Sequence, residues 1–342
     1  MSEFKKVSER PLSSLEEACA AVGIEPPKSQ RAGGRAYCRA LGGRKNDAGR
    51  VFLFRDGAGG IVFNHRTNAE AIFFYDAGHE LTPEEKKQIA ERRRQAKEEA
   101  RARERETYLR QEATRGLANQ VLGACSLGAS SHGYIIKKHL EDMAENLPII
   151  RRDDAQAFIN EMNIEQEDGD RQSLMDLTEC LLVIPLIDKN GLCSLQFIDE
   201  KGQKRFLKGG KKKGAVYFPV PVPDPIPKTI GIAEGVATAL SVTRLYGVYC
   251  VAGLDSGNLS AAAEHLRHKF RKGPRITIYA DDDENETGIK AAKFAAFMDG
   301  NADCVLPPFT SNQIELFKKA NGGKRPTDFN DYLICLVVKE AA

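Results

Sequence analysis

Two short apolar runs organise the last third of the chain. Ile230-Gly-Ile-Ala233 stops at Glu234-Gly235, and Ile276-Thr-Ile-Tyr-Ala280 stops at Asp281-Asp282-Asp283. Both read as buried strands, and helical periodicity follows each. The alternation runs on through the segment. It predicts strands at 229–233, 248–252, 275–280 and 303–306, and helices at about 236–246, 259–270 and 287–299. A repeated β-α order predicts a parallel, doubly wound sheet. Such sheets bind ligands beyond the carboxyl ends of their strands, where this one places its acids.

The preceding residues change pattern three times. Residues 1–78 read as a small β-rich module: a helix over 13–22, then strand-like runs at 35–38, 51–54, 61–63 and 71–75, separated by glycines and an Asn-Asp pair. Arg31, Arg35, Arg39, Arg44, Lys45 and Arg50 give it a basic tilt. Residues 79–115 read as a charged linker helix, opened by Thr82-Pro83 as cap and first turn, with Glu99–Arg103 and Glu106–Arg110 as i,i+4 pairs. A solvated spacer accounts for this stretch better than nucleic-acid contact through Arg92, Arg93 and Arg94, because opposite charges interleave along it. Residues 116–226 read as α+β. They contain Ser131-His-Gly-Tyr-Ile-Ile-Lys-Lys138 and an antiparallel meander from Leu181 through Leu207. Five prolines between Pro219 and Pro227 form a stiff boundary to residues 227–342.

Composition narrows the class. The 342 residues are 42% hydrophobic and 29% charged with a formal net charge of +2, a soluble globular profile. No apolar run reaches the ~18 residues of a membrane span, and no signal region follows the first Met, so a cytoplasmic protein is expected. The eight cysteines form no C-x-x-C pair and read as buried thiols of a reducing compartment. Bulk charge announces no polyanion partner, but local charge does. Lys201 to Lys213 holds seven Lys or Arg and no acid. Lys204, Arg205, Lys208, Lys211, Lys212 and Lys213 are therefore candidates for phosphate or nucleotide contact, against the alternative of a solvated loop. Gly209, Gly210 and Gly214 would let the backbone approach a ligand.

Asp281 and Asp283, two apart on extended backbone, point to one side. If the first and third strands are neighbours, as in a flavodoxin-like order, Glu234 joins them. Three gathered carboxylates repel unless a divalent cation neutralises them. The Asp triplet also precedes a helix and could simply cap it. The Glu-Gly at the partner strand end favours a metal site, and with it phosphoryl-transfer or nucleic-acid chemistry.

Glu234-Gly235, Asp281-Asp-Asp283 and the βαβ spacing between them resemble a Toprim domain, shared by bacterial-type primases, topoisomerases and some nucleases. The match is closer to the DNA primases of conjugative plasmids, phages and satellite phages. His132–Lys138, Val183–Asp188, Ser194–Ile198 and Lys204–Leu207 look like the amino-terminal catalytic subdomain of that branch. Glu234–Ala239, Gly253–Leu259 and Asp328-Phe-Asn-Asp331 complete its Toprim pattern. The resemblance implies metal-dependent synthesis of short RNA primers on single-stranded DNA from ribonucleoside triphosphates, with a separate helicase or polymerase as partner. It implies Glu234, Asp281 and Asp283 as catalytic, and these with Asp328 as ligands of Mg²⁺ or Mn²⁺. Lys137, Lys138 and the run from Lys204 to Lys213 would handle nucleotide and template.

Three departures matter. Thr238 stands where chromosomal primases often carry a second acid, which bears on the number of metals. The first module lacks the ligands of a zinc ribbon, so no zinc is expected. Any template contact there would use Arg35, Arg50 and Phe52 or Phe54, unless those aromatics are core. No P-loop occurs, so no helicase is expected in this chain. The competing readings are a Toprim nuclease, which uses the same acids, and a non-catalytic single-stranded-DNA-binding or interaction protein that kept the fold. The intact acidic set argues against the latter.

Overall fold

A computed structural model describes residues 5–29, 31, 33–42, 48–55, 57–75, 83–163, 172–271, 273–284 and 286–340. Arg44 and Lys45 of the basic tilt lie outside these residues. So do the side chains of Arg92 and Arg93 in the linker helix. The chain divides into two compact units, Met1–Glu106 and Thr107–Ala342.

In the first unit, α1 (Leu15–Val22) starts at Ser14, whose hydroxyl accepts the Glu17 N–H, and stops at Gly23 in the left-handed region. Its buried face, Leu15, Ala18, Cys19 and Val22, packs on a sheet ordered β1 (Lys5–Lys6), β5 (Ala69–Phe74), β4 (Gly59–Asn64), β3 (Gly49–Leu53), β2 (Arg35–Cys38). Strand alternation sends Val51, Leu53, Val62, Ala71 and Phe73 into this core. Phe52, Ile61, Phe63 and Ile72 fall on the opposite face, half-buried. Phe52 is thus not part of the α1-facing core. The parallel strand β1, only two residues long, carries no sequence signal.

Helix α2 runs from Pro83 to Gly123, eight residues beyond the expected linker. Its last turns fall within the residues read as α+β rather than within the spacer. Leu117, Ala118 and Val121 are buried in the second unit against Ile150, Ile159, Leu181, Leu195 and Phe197.

The second unit holds two sheets. The first is ordered β10 (Lys204–Phe206), β9 (Gly191–Asp199), β8 (Cys180–Asp188), β7 (Pro148–Arg151), β6 (Ser126–Leu127), with every pair antiparallel. It carries α3 (Gly133–Lys137) and α4 (Arg152–Asn163). The second is parallel and ordered β12 (Tyr249–Ala252), β11 (Thr229–Ala233), β13 (Arg275–Tyr279), β14 (Ala302–Val305). Strands β11 and β13 are neighbours, as the flavodoxin-like order requires. Helices α6 (Leu259–Phe270) and α7 (Thr287–Asp299) cover one face, burying Leu259, Ala262, Leu266, Ala292 and Ala295 on Ile230, Ile232, Ile276 and Ile278. Helices α5 (Val236–Tyr246) and α9 (Phe329–Glu340) cover the other. There Phe329 packs edge-on to Tyr279, centroids 5.1 Å apart. That core is continuous with Leu182, Ile184 and Ile198 of the antiparallel sheet, so the two sheets are fused. Helix α8 (Ser311–Ala320), absent from the predicted elements, opens with a Thr310–Gln313 capping box and buries none of its side chains.

Among the described residues no helix is long and apolar enough to cross a membrane.

Candidate active site at the carboxyl ends of the parallel strands

Glu234 lies one residue past β11 and Asp281 two past β13, so the register of these neighbours brings both acids to one sheet edge. Asp328 arrives from the other side of the sheet as the residue before α9. Its Oδ1 accepts the Asp331 N–H at 2.8 Å, and Asp331 Oδ2 accepts the Thr327 N–H at 2.9 Å, so the turn is capped from both ends. The Asp282 N–H donates to Thr327 O at 2.7 Å, and Arg325 forms an ion pair with Asp282, which ties the two acidic loops together.

Glu234, Asp281 and Asp328 line one cavity of about 320 Å³ with Tyr134, Lys137, Lys138, Lys201, Lys204 and Thr238. The basic wall comes from α3 and from the turn between β9 and β10. That turn needs Gly202, whose φ of 92° favours glycine. A Cβ placed on Gly235 would stand 4.0 Å from Lys204 Nζ, which locates that ammonium over the Glu234-Gly235 corner.

The electrostatics of the cavity are those of crowded acids. Burial, then the charges of Asp328, Glu234, Asp283 and Asp331, push the Asp281 carboxyl up to about 8. Its Oδ1 is buried without a hydrogen-bond partner. Burial also raises Glu234, with Asp255 and Asp283 adding to the effect, while the Ser256 N–H and Lys204 oppose it. Burial lowers Lys204, and Lys138 lowers it further, against the pull of Glu234, Asp328 and Asp281.

An orphaned carboxylate oxygen among mutually repelling acids fits a divalent cation. The all-oxygen donor set suits Mg²⁺ or Mn²⁺. Among the described residues, no three His, Cys, Asp or Glu side chains stand close enough to form a ready metal cage. Mg²⁺ does not need one, because it keeps several waters and takes one or two carboxylates together with substrate phosphates.

Not every expected site residue reaches this cavity. Asp283 does not line it. Its Oδ1 accepts the Gly288 N–H at 3.4 Å at the start of α7, the capping role weighed for the triplet, although its charge still acts on Asp281 and Glu234. The basic run is divided. Arg205 pairs with Asp176, and Lys212 pairs with Asp255 and sits 4.4 Å from the Phe206 ring centroid. Lys211 bonds Asp188 at 2.7 Å. With Lys213, Lys189, His265 and His268 it lines a separate cavity of about 280 Å³. The Lys208 N–H donates to Gln172 Oε1, and its carbonyl accepts from Thr114.

Two of the three glycines of this run, Gly209 and Gly210, are packed against the chain itself, whereas a Cβ on Gly214 would meet nothing within 4 Å. A Cβ on Gly210 would stand 2.0 Å from Ser194 Oγ, and one on Gly209 2.8 Å from Thr114 Oγ1. In the first unit, Arg35 lines a cavity of about 630 Å³ with Lys28, Arg31, Tyr37 and Arg39, and the Arg50 guanidinium lies 4.2 Å from the Tyr37 centroid.

Sequence reasoning missed Lys201, Tyr134 and Asn330 as individual contributors. Lys201 and Tyr134 stood inside segments already singled out, a turn and a polar-aromatic-basic motif. Nothing in their spacing shows that both face the acids.

Residues 229–335 match the family described as Toprim domain. The chain is 39% identical over 123 residues to a DNA primase TraC of Escherichia coli, a match that covers 33% of this chain and 8% of that protein. A second Escherichia coli DNA primase TraC is 36% identical over 141 residues, covering 38% of this chain and 13% of that protein. The match thus spans a small part of the length of these relatives. Among solved structures, the DnaG primase catalytic domain bound to ssDNA is 14% identical, covering 68% of this chain and 84% of that one, with a TM-score of 0.41. The Aquifex aeolicus primase (zinc binding and RNA polymerase domains) is 14% identical, covering 94% and 83%, with a TM-score of 0.37.

Proposed function

We propose that this chain, whose residues 229–335 match a Toprim domain, is a DNA primase that makes short RNA primers on single-stranded DNA by metal-dependent nucleotidyl transfer. One observation carries the reading. Glu234, Asp281 and Asp328 share a cavity with Lys137, Lys138, Lys201 and Lys204. That arrangement offers an all-oxygen cation site facing a set of ammonium groups that can donate hydrogen bonds to phosphate. Similarity to two DNA primases TraC supports the substrate class.

In this reading Glu234 and Asp281 hold the cation, with Asp328 beside them and Asp283 contributing charge. When bound, Mg²⁺ or Mn²⁺ supplies charge neutralisation at the transferring phosphoryl group and an attacking hydroxyl of lowered pKa. Lys137, Lys138 and Lys204 grip the triphosphate of the incoming ribonucleotide. Burial and Lys138 hold Lys204 below the usual lysine range, and the acids opposite only partly offset that shift. Arg205, Lys208 and Lys211–Lys213 lie outside the cavity; of these, Lys213 would contact the template strand, while Arg205, Lys211 and Lys212 are held by Asp176, Asp188 and Asp255. A separate helicase or polymerase would be the partner, in the cytoplasm.

The test is synthesis of short RNA from labelled ribonucleotides on single-stranded DNA with Mg²⁺ or Mn²⁺. Asp281→Ala, folded by circular dichroism, should lose most of the activity. A folded and fully active Asp281→Ala protein would remove the acids from the mechanism. DNA cleavage in place of RNA synthesis would assign them to a nuclease.

A further inference from the structure

The antiparallel sheet's α3 carries Lys137 and Lys138 into the cavity. The parallel-sheet domain takes hold of the carboxyl end of this helix. Asn330, fully buried, donates its Nδ2 to Lys138 O at 2.8 Å and to Ser241 Oγ of α5 at 3.0 Å. Two oxygens facing one nitrogen fix the orientation of the amide. Three residues along α5 from Ser241, Arg244 donates to His139 O and pairs with Asp142 at 3.2 Å.

The last carbonyls of any helix lack partners within it. Here the carbonyls of Lys138 and His139, the two residues that follow α3, take donors from the parallel-sheet domain. His139 has a φ of 52°, so the chain turns out of α3 at this point. Asn330 keeps a buried Oδ1 with no partner, a cost that packing alone does not explain. It also stands two residues from Asp328. One capped turn therefore carries an acid of the cavity and the donor that holds the facing lysine.

We infer that Asn330 is a positioning residue. It fixes the end of α3, and with it the Lys138 ammonium, at a set distance from Glu234, Asp281 and Asp328, and Arg244 is a second tie. The inference rests on the primase reading in one respect, that the group gripped between lysines and acids is a nucleoside triphosphate.

The experiment measures two affinities of the full chain: Mn²⁺ alone, and a ribonucleoside triphosphate in saturating Mn²⁺. Asn330→Ala should weaken nucleotide binding about tenfold, the worth of one charged hydrogen bond. Its Mn²⁺ affinity should stay near that of the unaltered protein. In a Lys138→Met background Asn330→Ala should add little, because the two act through one contact. Arg244→Lys should bind nucleotide better than Arg244→Ala.

Unchanged nucleotide binding in Asn330→Ala, or an effect fully additive with Lys138→Met, overturns the inference. So does equal loss of Mn²⁺ and nucleotide, which marks general disruption. If Asn330→Ala does not fold, Arg244→Ala replaces it with the same expected pattern, since that side chain is one-third exposed. An unaltered protein that binds Mn²⁺ but no ribonucleotide overturns the primase reading itself, and the inference with it.

Discussion

Asp281 is the residue on which folding and function pull in opposite directions. Its carboxyl titrates near 8 in the folded chain, against about 3.9 for an unperturbed Asp. Between these values the folded state binds more protons than the unfolded state. Stability therefore falls as pH rises through that window and levels off above about 8. A bound cation would reverse the effect by neutralising the site. In EDTA, Asp281→Asn should melt higher than the unaltered chain at pH 8.5, by about 1–2 kcal/mol, with the difference vanishing near pH 4. Adding Mn²⁺ should stabilise the unaltered chain and leave the variant nearly unmoved. Thermal melts across pH, with and without Mn²⁺, check both halves. Lys211 shows the opposite balance. Its partner Asp188 is 2% exposed, so Lys211→Ala leaves a buried carboxylate with the Asn190 N–H. Losing one partner of such a pair costs about 3 kcal/mol, and this variant should lose stability by that order in urea.

At the scale of elements, the parallel sheet was legible because buried strands and amphipathic helices announce themselves locally. The predicted helices over 236–246, 259–270 and 287–299 coincide with α5, α6 and α7. Glu234 and Asp281 followed from the strand ends. Where sequence reading failed, the determinant was long-range contact. The change from charged to apolar residues at 115/116 separates the spacer from Leu117 and Val121, but it does not show that one helix runs unbroken across that boundary to Gly123. The basic run looked uniform because charge counts ignore Asp176, Asp188 and Asp255, each brought in by tertiary structure. Asn330 could be read as part of a motif but not as a tie to Lys138, 192 residues away. Helix α9 gives the test at this scale. Phe329 is fully buried against Tyr279 and Tyr246, and it seats the first turn of the helix that Asp328 precedes. Phe329→Ala should cost about 3–5 kcal/mol by leaving a cavity. Phe329→Leu should cost less and keep more primer synthesis, as denaturant melts and the primer assay would show.

For the whole molecule, the question is how much of the charge from Lys204 to Lys213 is available to a polyanion. A count of cations alone predicts that changing Lys211, Lys212 and Lys213 together to Ala removes three phosphate contacts. Each single-strand contact contributes about 0.7 to the slope of log affinity against log salt, so the slope would flatten by about 2. The ion pairs argue for a smaller change. Lys211 is held by Asp188, and Lys212 by Asp255, so each would have to leave its carboxylate before it could neutralise a phosphate and release the counterions condensed on the DNA. Lys213 is exposed and, among the described residues, forms no ion pair. The triple variant should therefore flatten the slope by about 0.7, one contact's worth, and Lys213→Ala alone should reproduce most of that change. Fluorescence anisotropy with labelled single-stranded DNA across a salt series reads both slopes. A change near 2 would mean that DNA competes successfully for Lys211 and Lys212 and draws them from their acids. An unchanged slope would return Lys211 to Lys213 to a solvated loop and leave Lys137, Lys138, Lys201 and Lys204 as the cations that meet the nucleic acid.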